Sequence, residues 1–423
     1  MMQSLVVREW GEIHLSKSDN KMDEENTIDR IFVNSSAFKS LAKLAESDDK
    51  QYRFLKFKKS TVLKVQNFVG VITTPDGTQI EILPKINKNK DSDEETAKKS
   101  RIILTKMLKV VNNLELLEST KADVQIKNQP LLEVLITLFL ACADEIIKKG
   151  IRKDYHRIDE QEKFLKGQLQ THKQLNEPPH KQHLFHIEYD IFSPNRPENR
   201  LIHSALLQVL KWSKTNQNQK LAKHCLSLFD GVPHSDNYKN DFAKWSKNRD
   251  MNYYKEVLPW LKLVLNQQSP FTLKDKNAGI SFLIPMEKLF EKYVAKMLHK
   301  KLSPKGYSIK TEPKKYLTMN PDAFQMKPDI AVCKDDKIVR ILDTKWKLID
   351  ENATYCNGNN DKKKDISQSD VYQLFAYGKK YNIKKVVLIY PKWDKFSKSF
   401  SYRLEDELML KIDPFDVEAS LNA

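Results

Sequence analysis

Met286, Leu289, Phe290, Tyr293, Val294, Met297 and Leu298 fall at offsets 0, 3, 4, 7, 8, 11 and 12, which is one apolar stripe along a helix from Met286 to Leu298. Further along, the period changes. Ile330 to Val332 and Ile338 to Leu342 are short apolar strands separated by the polar run Lys334 to Lys337, a β-hairpin that delivers Asp343 at its end. Asp370 to Tyr377 again has helical spacing, and Lys385 to Tyr390, KVVLIY, is a buried strand closed by Pro391. The order helix, hairpin, helix, strand from about Ile284 to Tyr390 predicts the core of an α/β domain.

The rest of the chain divides by the same criterion. From Ser4 to about Ile86 it is strand-like: Leu5 to Trp10, Tyr52 to Phe57, Val62 to Thr73 and Gln79 to Leu83 carry β-branched and aromatic residues, and Pro75-Asp76-Gly77 is a turn between the last two. Phe38 to Ala45 is a short helix, and the polar run Asn87 to Glu95 is a linker or exposed loop. Helical patterns follow at Ile102 to Val111, Leu131 to Lys149 (ended by Gly150), Arg200 to Trp212, Lys220 to Phe229 and Tyr253 to Leu265, interrupted by a mixed stretch from Ile151 to Pro197. The fold class expected is multidomain α+β and α/β: an N-terminal β-rich domain over 1–94, a central mainly helical domain over 95–268 and a C-terminal α/β domain over 269–423. There is no internal repeat.

Composition narrows the partners. The chain has 423 residues and a net charge of +16, which suits a polyanion. Of its 72 basic residues 61 are lysine and only 11 arginine, so the charge supports phosphate contact more than bidentate reading of bases. Cys142, Cys225, Cys333 and Cys356 are scattered without a C-x-x-C, which predicts neither a zinc knuckle nor a disulfide framework and fits a reducing cytoplasm. The opening MMQSLVVREWGE lacks the pattern of a signal peptide, and the longest apolar run, Leu131 to Cys142, is too short to span a bilayer and contains Glu133. No membrane role is expected.

The hairpin carries the candidate chemistry. Pro328-Asp329 opens it and Asp343-Thr344-Lys345 closes it, which is the PD-(D/E)xK nuclease signature. Strand alternation puts Asp343 and Lys345 on one face and turns Thr344 to the other. Two carboxylates bind a hard divalent cation through oxygen, and an adjacent ammonium can acidify a water or counter charge on a phosphate. Other matches occur by chance: Pro75-Asp76, Pro321-Asp322 and Asp335-Asp336-Lys337 share parts of the pattern, and the first and last of these fall in turns. Ordinary strand-end charges are the competing reading of Asp329, Asp343 and Lys345. On the preceding helix Glu287 and Glu291 lie four apart at the edge of the apolar stripe, so either could lean towards the hairpin or pair with Lys288 or Lys292. Gln373 on the later helix could bond water or phosphate, with Tyr372, Leu374, Phe375 and Tyr377 as packing residues. His180, His183 and His186 lie in an extended segment where three imidazoles would not converge on a metal. With no G-x-x-x-x-G-K-[ST], the chain has no P-loop, and any nucleotide-driven motor belongs to another polypeptide.

Several stretches together resemble one family. Val7 to Glu12 (VREWGE), Phe68 to Ile72, Ile80 to Ile86 (IEILPKI), Asp190 to Arg200 (DIFSPNRPENR), Leu289 to Val294, Lys327 to Ile330, Asp343 to Lys347 (DTKWK) and Asp370 to Gln373 are similar, in order, to the McrC subunit of the McrBC modified-cytosine restriction systems. The resemblance implies an N-terminal β-rich domain that docks on a hexameric McrB-type AAA+ GTPase, which binds the GTP. A central helical region and a C-terminal PD-(D/E)xK, restriction-endonuclease-like domain would follow. It implies Mg²⁺ held by Asp329 and Asp343, with Glu291 and the carbonyl of Thr344, catalysis by Lys345 with Gln373 as a weaker carry-over, and double-stranded DNA with modified cytosine as substrate. Extra material stands around Asn87 to Lys99 and Asn352 to Ser367. Two other functions compete: a non-cleaving DNA-binding activator of the GTPase, and a stand-alone sequence-specific endonuclease.

Overall fold

The computed structural model describes residues 4–16, 25–46, 54–86, 92–111, 129–246, 248–265, 281–318, 320–352, 365–405 and 407–417. The chain divides into two compact units, one formed by Met1–Leu132 with Gln268–Ala423 and the other by Glu133–Gln267.

The first unit begins with β1 (Leu5–Arg8), β2 (Glu12–Leu15), β3 (Arg30–Val33), α1 (Ser35–Ala45), β4 (Leu55–Lys59), β5 (Val62–Val65), β6 (Phe68–Thr73), β7 (Gln79–Leu83) and α2 (Asp93–Val111). Val62 to Thr73, expected as one strand, is two, broken at Gln66-Asn67. β2, β3, β4 and β5 form one sheet in the order β3-β2-β5-β4, and α1 is capped by Asn34, whose Oδ1 accepts from Ala37 N at 2.8 Å. Ile13, Ile31, Leu41, Phe54, Leu63 and Ile82 fill the core between these elements. The helix α2 starts at Asp93, inside the stretch expected as a linker, because Asp93, Glu94 and Glu95 supply an acidic first turn; residues 87–91 lie outside the described part.

The second unit holds nearly all of α3 (Leu131–Lys149), then β8 (Asp154–Glu162), β9 (Gln168–Leu169), α4 (Thr171–Leu175), β10 (Phe185–Ser193), α5 (Pro197–Trp212), α6 (Asn216–Leu228), α7 (Tyr238–Ala243) and α8 (Leu258–Leu265). The mixed stretch is the three-stranded antiparallel sheet β8-β10-β9. Glu133, the charge in the apolar run, is buried and accepts from Ser213 Oγ at 2.9 Å, Thr215 Oγ1 at 3.0 Å and Asn218 Nδ2 at 2.8 Å, so its burial is compensated. The DIFSPNRPENR stretch is also a clasp: Asn199 Nδ2 donates to Arg152 O at 2.8 Å, and the Arg200 guanidinium grips Asp241 through two bonds of 3.0 and 2.6 Å. His186 lies in β10 and pairs with Glu177, while His180 stands in a separate 3₁₀ turn.

The chain then returns to the first unit through β11 (Ser281–Pro285), which pairs antiparallel with β6 and completes the N-terminal sheet in the order β1-β7-β6-β11. Gly70 lets the two backbones approach, since a Cβ there would sit 1.7 Å from the Phe282 carbonyl oxygen. β11 runs without a break into α9 (Met286–Leu302), the helix of the apolar stripe, which packs on α2. β12 (Tyr307–Thr311), β13 (Lys315–Tyr316), β14 (Gln325–Met326), β15 (Ile330–Lys334), β16 (Lys337–Thr344), α10 (Gln368–Tyr381), β17 (Lys385–Pro391), β18 (Phe400–Arg403) and β19 (Met409–Phe415) complete the unit. Six of these strands make a mixed sheet in the order β12-β15-β16-β17-β19-β18, with α10 against it over a core that includes Ile341, Leu374, Val386, Leu388 and Ile412. Residues 353–364, part of the second stretch of extra material, lie outside the described part. Among the described residues no helix is long and apolar enough to cross a membrane.

Candidate functional site

The hairpin β15–β16 turns through Asp335 and Asp336, both at positive φ, the two-residue connection whose twist matches that of the strands. Past a bulge at Val332/Cys333 the register pairs Ile330 with Leu342. Asp329 immediately precedes β15 and Asp343 lies in β16 one residue after Leu342, so the two like charges come near enough to act on each other. Asp329 is fixed by Thr344, whose backbone N and Oγ1 each donate to its Oδ2 at 2.8 Å. The side chain of Thr344 therefore reaches Asp329 rather than an unrelated face. Asp343 is buried, and its Oδ2 lies 3.0 Å from Lys345 Nζ in an ion pair, without a well-directed hydrogen bond. Lys345 stands just past the end of β16, held by its N–H to Ile389 O at 2.9 Å, and its ammonium is also 3.6 Å from Asp370 Oδ1 in the first turn of α10.

Glu291 and Glu287 separate although they share α9. Glu291 is buried towards the hairpin and takes Lys288 Nζ at 2.7 Å, while Glu287 lines a cavity beside Glu9 and Trp346. Lys288 also reaches Glu312 at 3.5 Å, and Glu312 pairs with Lys327 at 2.7 Å. Gln373 is exposed, and its Nε2 donates to the Tyr377 hydroxyl at 2.7 Å. Tyr377, read from the sequence as a packing residue, has its pKa raised by burial first and then by the charges of Asp343 and Asp329, against the Gln373 hydrogen bond. Asp370, Glu312 and Tyr377 are the charged or polar neighbours that sequence pattern did not single out; helical spacing of four from Gln373 was the available signal for Tyr377.

The electrostatics follow from this geometry. Burial first, then the charge of Asp329, push the Asp343 carboxyl up to about 6, against the pull of Lys345. Glu291 is raised by burial, with Asp329 adding to it and Lys288 opposing. Lys345 is raised in spite of its own burial, because Asp343, Asp370 and Asp329 all favour its charged form. The site thus concentrates acids whose mutual repulsion a cation would relieve, and the buried Asp343 Oδ2 has unused acceptor capacity. Hard carboxylate oxygens on Asp329 and Asp343 fit a divalent ion. Among the described residues no group of three or more His, Cys, Asp or Glu is gathered closely enough to hold a metal, since lysines draw Glu291 and Glu312 aside.

A family profile described as McrBC 5-methylcytosine restriction system component matches residues 63–391. The fold is similar to a chain in the refined half-complex from the tetradecameric assembly of Thermococcus gammatolerans McrB AAA+ hexamers with bound McrC, at 19% identity and a TM-score of 0.65, covering 100% of this chain and 96% of that one. It is also similar to a chain in the cryo-EM structure of the Thermococcus gammatolerans McrBC complex, at 20% identity and a TM-score of 0.50, covering 71% of this chain and 88% of that one. A search of curated proteins gave no match.

Proposed function

This chain is an McrC-type member of the family of McrBC 5-methylcytosine restriction system components, and we propose that it is the subunit that hydrolyses DNA phosphodiesters, through a PD-(D/E)xK site formed by Asp329, Asp343 and Lys345. One observation carries the reading: Asp329, bound through two hydrogen bonds by the residue after Asp343, acts on Asp343 with its charge, while the Lys345 ammonium stands 3.0 Å from Asp343. Decoy matches elsewhere in the chain lack that convergence.

Asp329 and Asp343, with the Thr344 carbonyl, would hold Mg²⁺, and Glu291 would join them on release from Lys288. When bound, the ion would neutralise phosphate charge and acidify a coordinated water. Thr344 fixes the orientation of Asp329 through two hydrogen bonds, so one carboxylate is preorganised before any ligand arrives. Lys345, kept charged by three acids, is the group placed to orient the attacking water and to offset negative charge on the phosphate. Gln373, steadied by Tyr377, extends the polar surface on the α10 side, where it can donate to a phosphate oxygen.

The partner in this proposal is a hexameric McrB-type AAA+ GTPase, which supplies GTP hydrolysis and modified-cytosine recognition, in keeping with the McrB hexamers of the similar assembly and with the missing P-loop. Asp343→Ala and Lys345→Ala, assayed with that partner, GTP, Mg²⁺ and methylated plasmid, are expected to lose cleavage and keep stimulation of GTP hydrolysis. If both variants still cut, the assignment is wrong. The engagement of Glu291 by Lys288 favours a second reading, a non-cleaving activator. In that case the wild-type chain stimulates the GTPase and never cuts, whereas cutting without partner or GTP would identify a stand-alone endonuclease.

A further inference from the structure

Glu9 follows β1 and is fully buried, yet it lies apart from the carboxylates of the hairpin. Its Oε1 accepts two hydrogen bonds, from Lys85 N at 2.8 Å and from the indole Nε1 of Trp346 at 2.5 Å, the latter linking residues 337 positions apart. Trp346 directly follows Lys345. Its ring packs on Phe290 of α9 with centroids 5.0 Å apart, and Phe290 directly precedes Glu291. The indole of the residue beside the candidate catalytic lysine thus packs on the residue beside the candidate helix acid, and its only polar atom is held by a residue of the N-terminal sheet region.

Two physical points argue that this contact is used. A long lysine side chain takes its direction from the backbone that carries it, and Lys345 stands immediately after β16, where its N–H to Ile389 O at 2.9 Å anchors it to the sheet on its N-terminal side. The Glu9–Trp346 bond fixes the chain one residue later. Burial of a carboxylate is also costly when an uncharged acceptor would serve for packing alone. Burial drives the Glu9 carboxyl up to about 7, and its Oε2 has no hydrogen-bond partner in a cavity of about 420 Å³ whose lining includes Asn67, Lys85 and Glu287. A buried carboxylate with one oxygen unsatisfied is an expensive way to hold an indole.

We infer that Glu9 is a positioning residue for DNA cleavage: from the N-terminal sheet region it fixes Trp346, and through the adjoining backbone it aims Lys345 at Asp343. The inference rests on the nuclease reading above. It makes the N-terminal region part of the cutting site, and not only a docking element. Residues that touch the reacting atoms remain those of the hairpin, and Glu9 acts through Trp346.

The test uses the full chain with the GTPase partner, GTP, Mg²⁺ and methylated plasmid. Trp346→Phe keeps the ring on Phe290 and removes the donor, and Glu9→Ala removes the acceptor. Both are expected to keep KM for DNA and to lose kcat by on the order of 10- to 100-fold, as a displacement of about 1 Å in a catalytic group does. Glu9→Gln, which retains an acceptor of the same reach, is expected to restore most of the loss of Glu9→Ala. Folded Trp346→Phe and Glu9→Ala proteins with wild-type kcat overturn the inference, and so does a loss confined to KM. A separate reading comes from the ¹⁵N-labelled indole resonances, in which the Trp346 signal is identified by its disappearance in Trp346→Phe. That signal is expected to move upfield in Glu9→Gln, and an unmoved signal overturns the contact. If the wild-type chain does not cut at all, the nuclease reading fails, and the indole signal still tells whether Glu9 holds Trp346.

Discussion

Asp343→Asn is expected to inactivate the site and stabilise the protein. In an unfolded chain an Asp ionises near 3.8, and in the folded site burial and Asp329 delay this to about 6. Between those values the folded state holds a proton that the unfolded state has released, so stability falls as pH rises from about 4 to about 6. Above that range the whole difference is lost, roughly 3 kcal/mol at about 1.4 kcal/mol per pH unit. Asparagine avoids the loss because it carries no charge. The attraction of Lys345 is already contained in the net value, and Lys345 keeps Asp370 at 3.6 Å, but an amide beside an ammonium is a poorer neighbour than a carboxylate. A gain of about 1–3 kcal/mol at pH 8 remains. The assay is urea unfolding of metal-free protein in chelator at pH 5 and pH 8, compared between wild type and variant so that other titrations cancel. The variant should gain relative to wild type at pH 8 and about 1.4 kcal/mol less at pH 5, and a divalent cation should narrow the gap by stabilising only the wild type. An Asn variant no more stable than wild type at pH 8, or a difference independent of pH, would refute the reasoning.

Glu81 is fully buried and accepts from Ser4 Oγ, Leu131 N and two nitrogens of Arg101, so Glu81→Ala should cost roughly 3–5 kcal/mol in denaturant unfolding by stranding the half-buried guanidinium. Double replacement by Glu81→Met and Arg101→Met should recover much of that, and failure to do so would point to the Ser4 and Leu131 bonds instead. Tyr377→Phe should leave the helix intact and lower cleavage by about tenfold through loss of one hydrogen bond to Gln373, measured as kcat at saturating DNA. Gly70→Ala should prevent β11 from seating on β6, read as loss of protection from hydrogen exchange at residues 281–285.

Local period carried the sequence reading furthest. The stripe on α9, the hairpin β15–β16 and the full span of α3 were legible because each depends on spacing within a dozen or so residues. Convergence of Asp343 with Lys345 was legible for the same reason. Contacts made across long sequence distances were not. Nothing in the five residues of β11 says that they pair with β6, more than two hundred positions earlier, and nothing in VREWGE says that its glutamate accepts from the tryptophan of DTKWK. Strand alternation also gave no sign that the Thr344 side chain holds Asp329, because that aspartate precedes its strand. The strands β18 and β19 lack the uniform apolar run of β17, being half-exposed at the far side of the sheet, and their alternation was too short to register.

The continuity of β11 with α9 limits how this protein can be taken apart. A fragment started after the central unit would carry the hairpin β15–β16 intact but begin with a strand bereft of its partner, and the complementary N-terminal fragment would expose the row of β6 amides and carbonyls that β11 covers. Such bare rows recruit strands from other molecules and drive aggregation. Insolubility of either fragment would therefore report a severed sheet and not an unstable C-terminal fold. A soluble dissection has to excise the middle of the chain and join its two ends, leaving the strand from one half in register with the other.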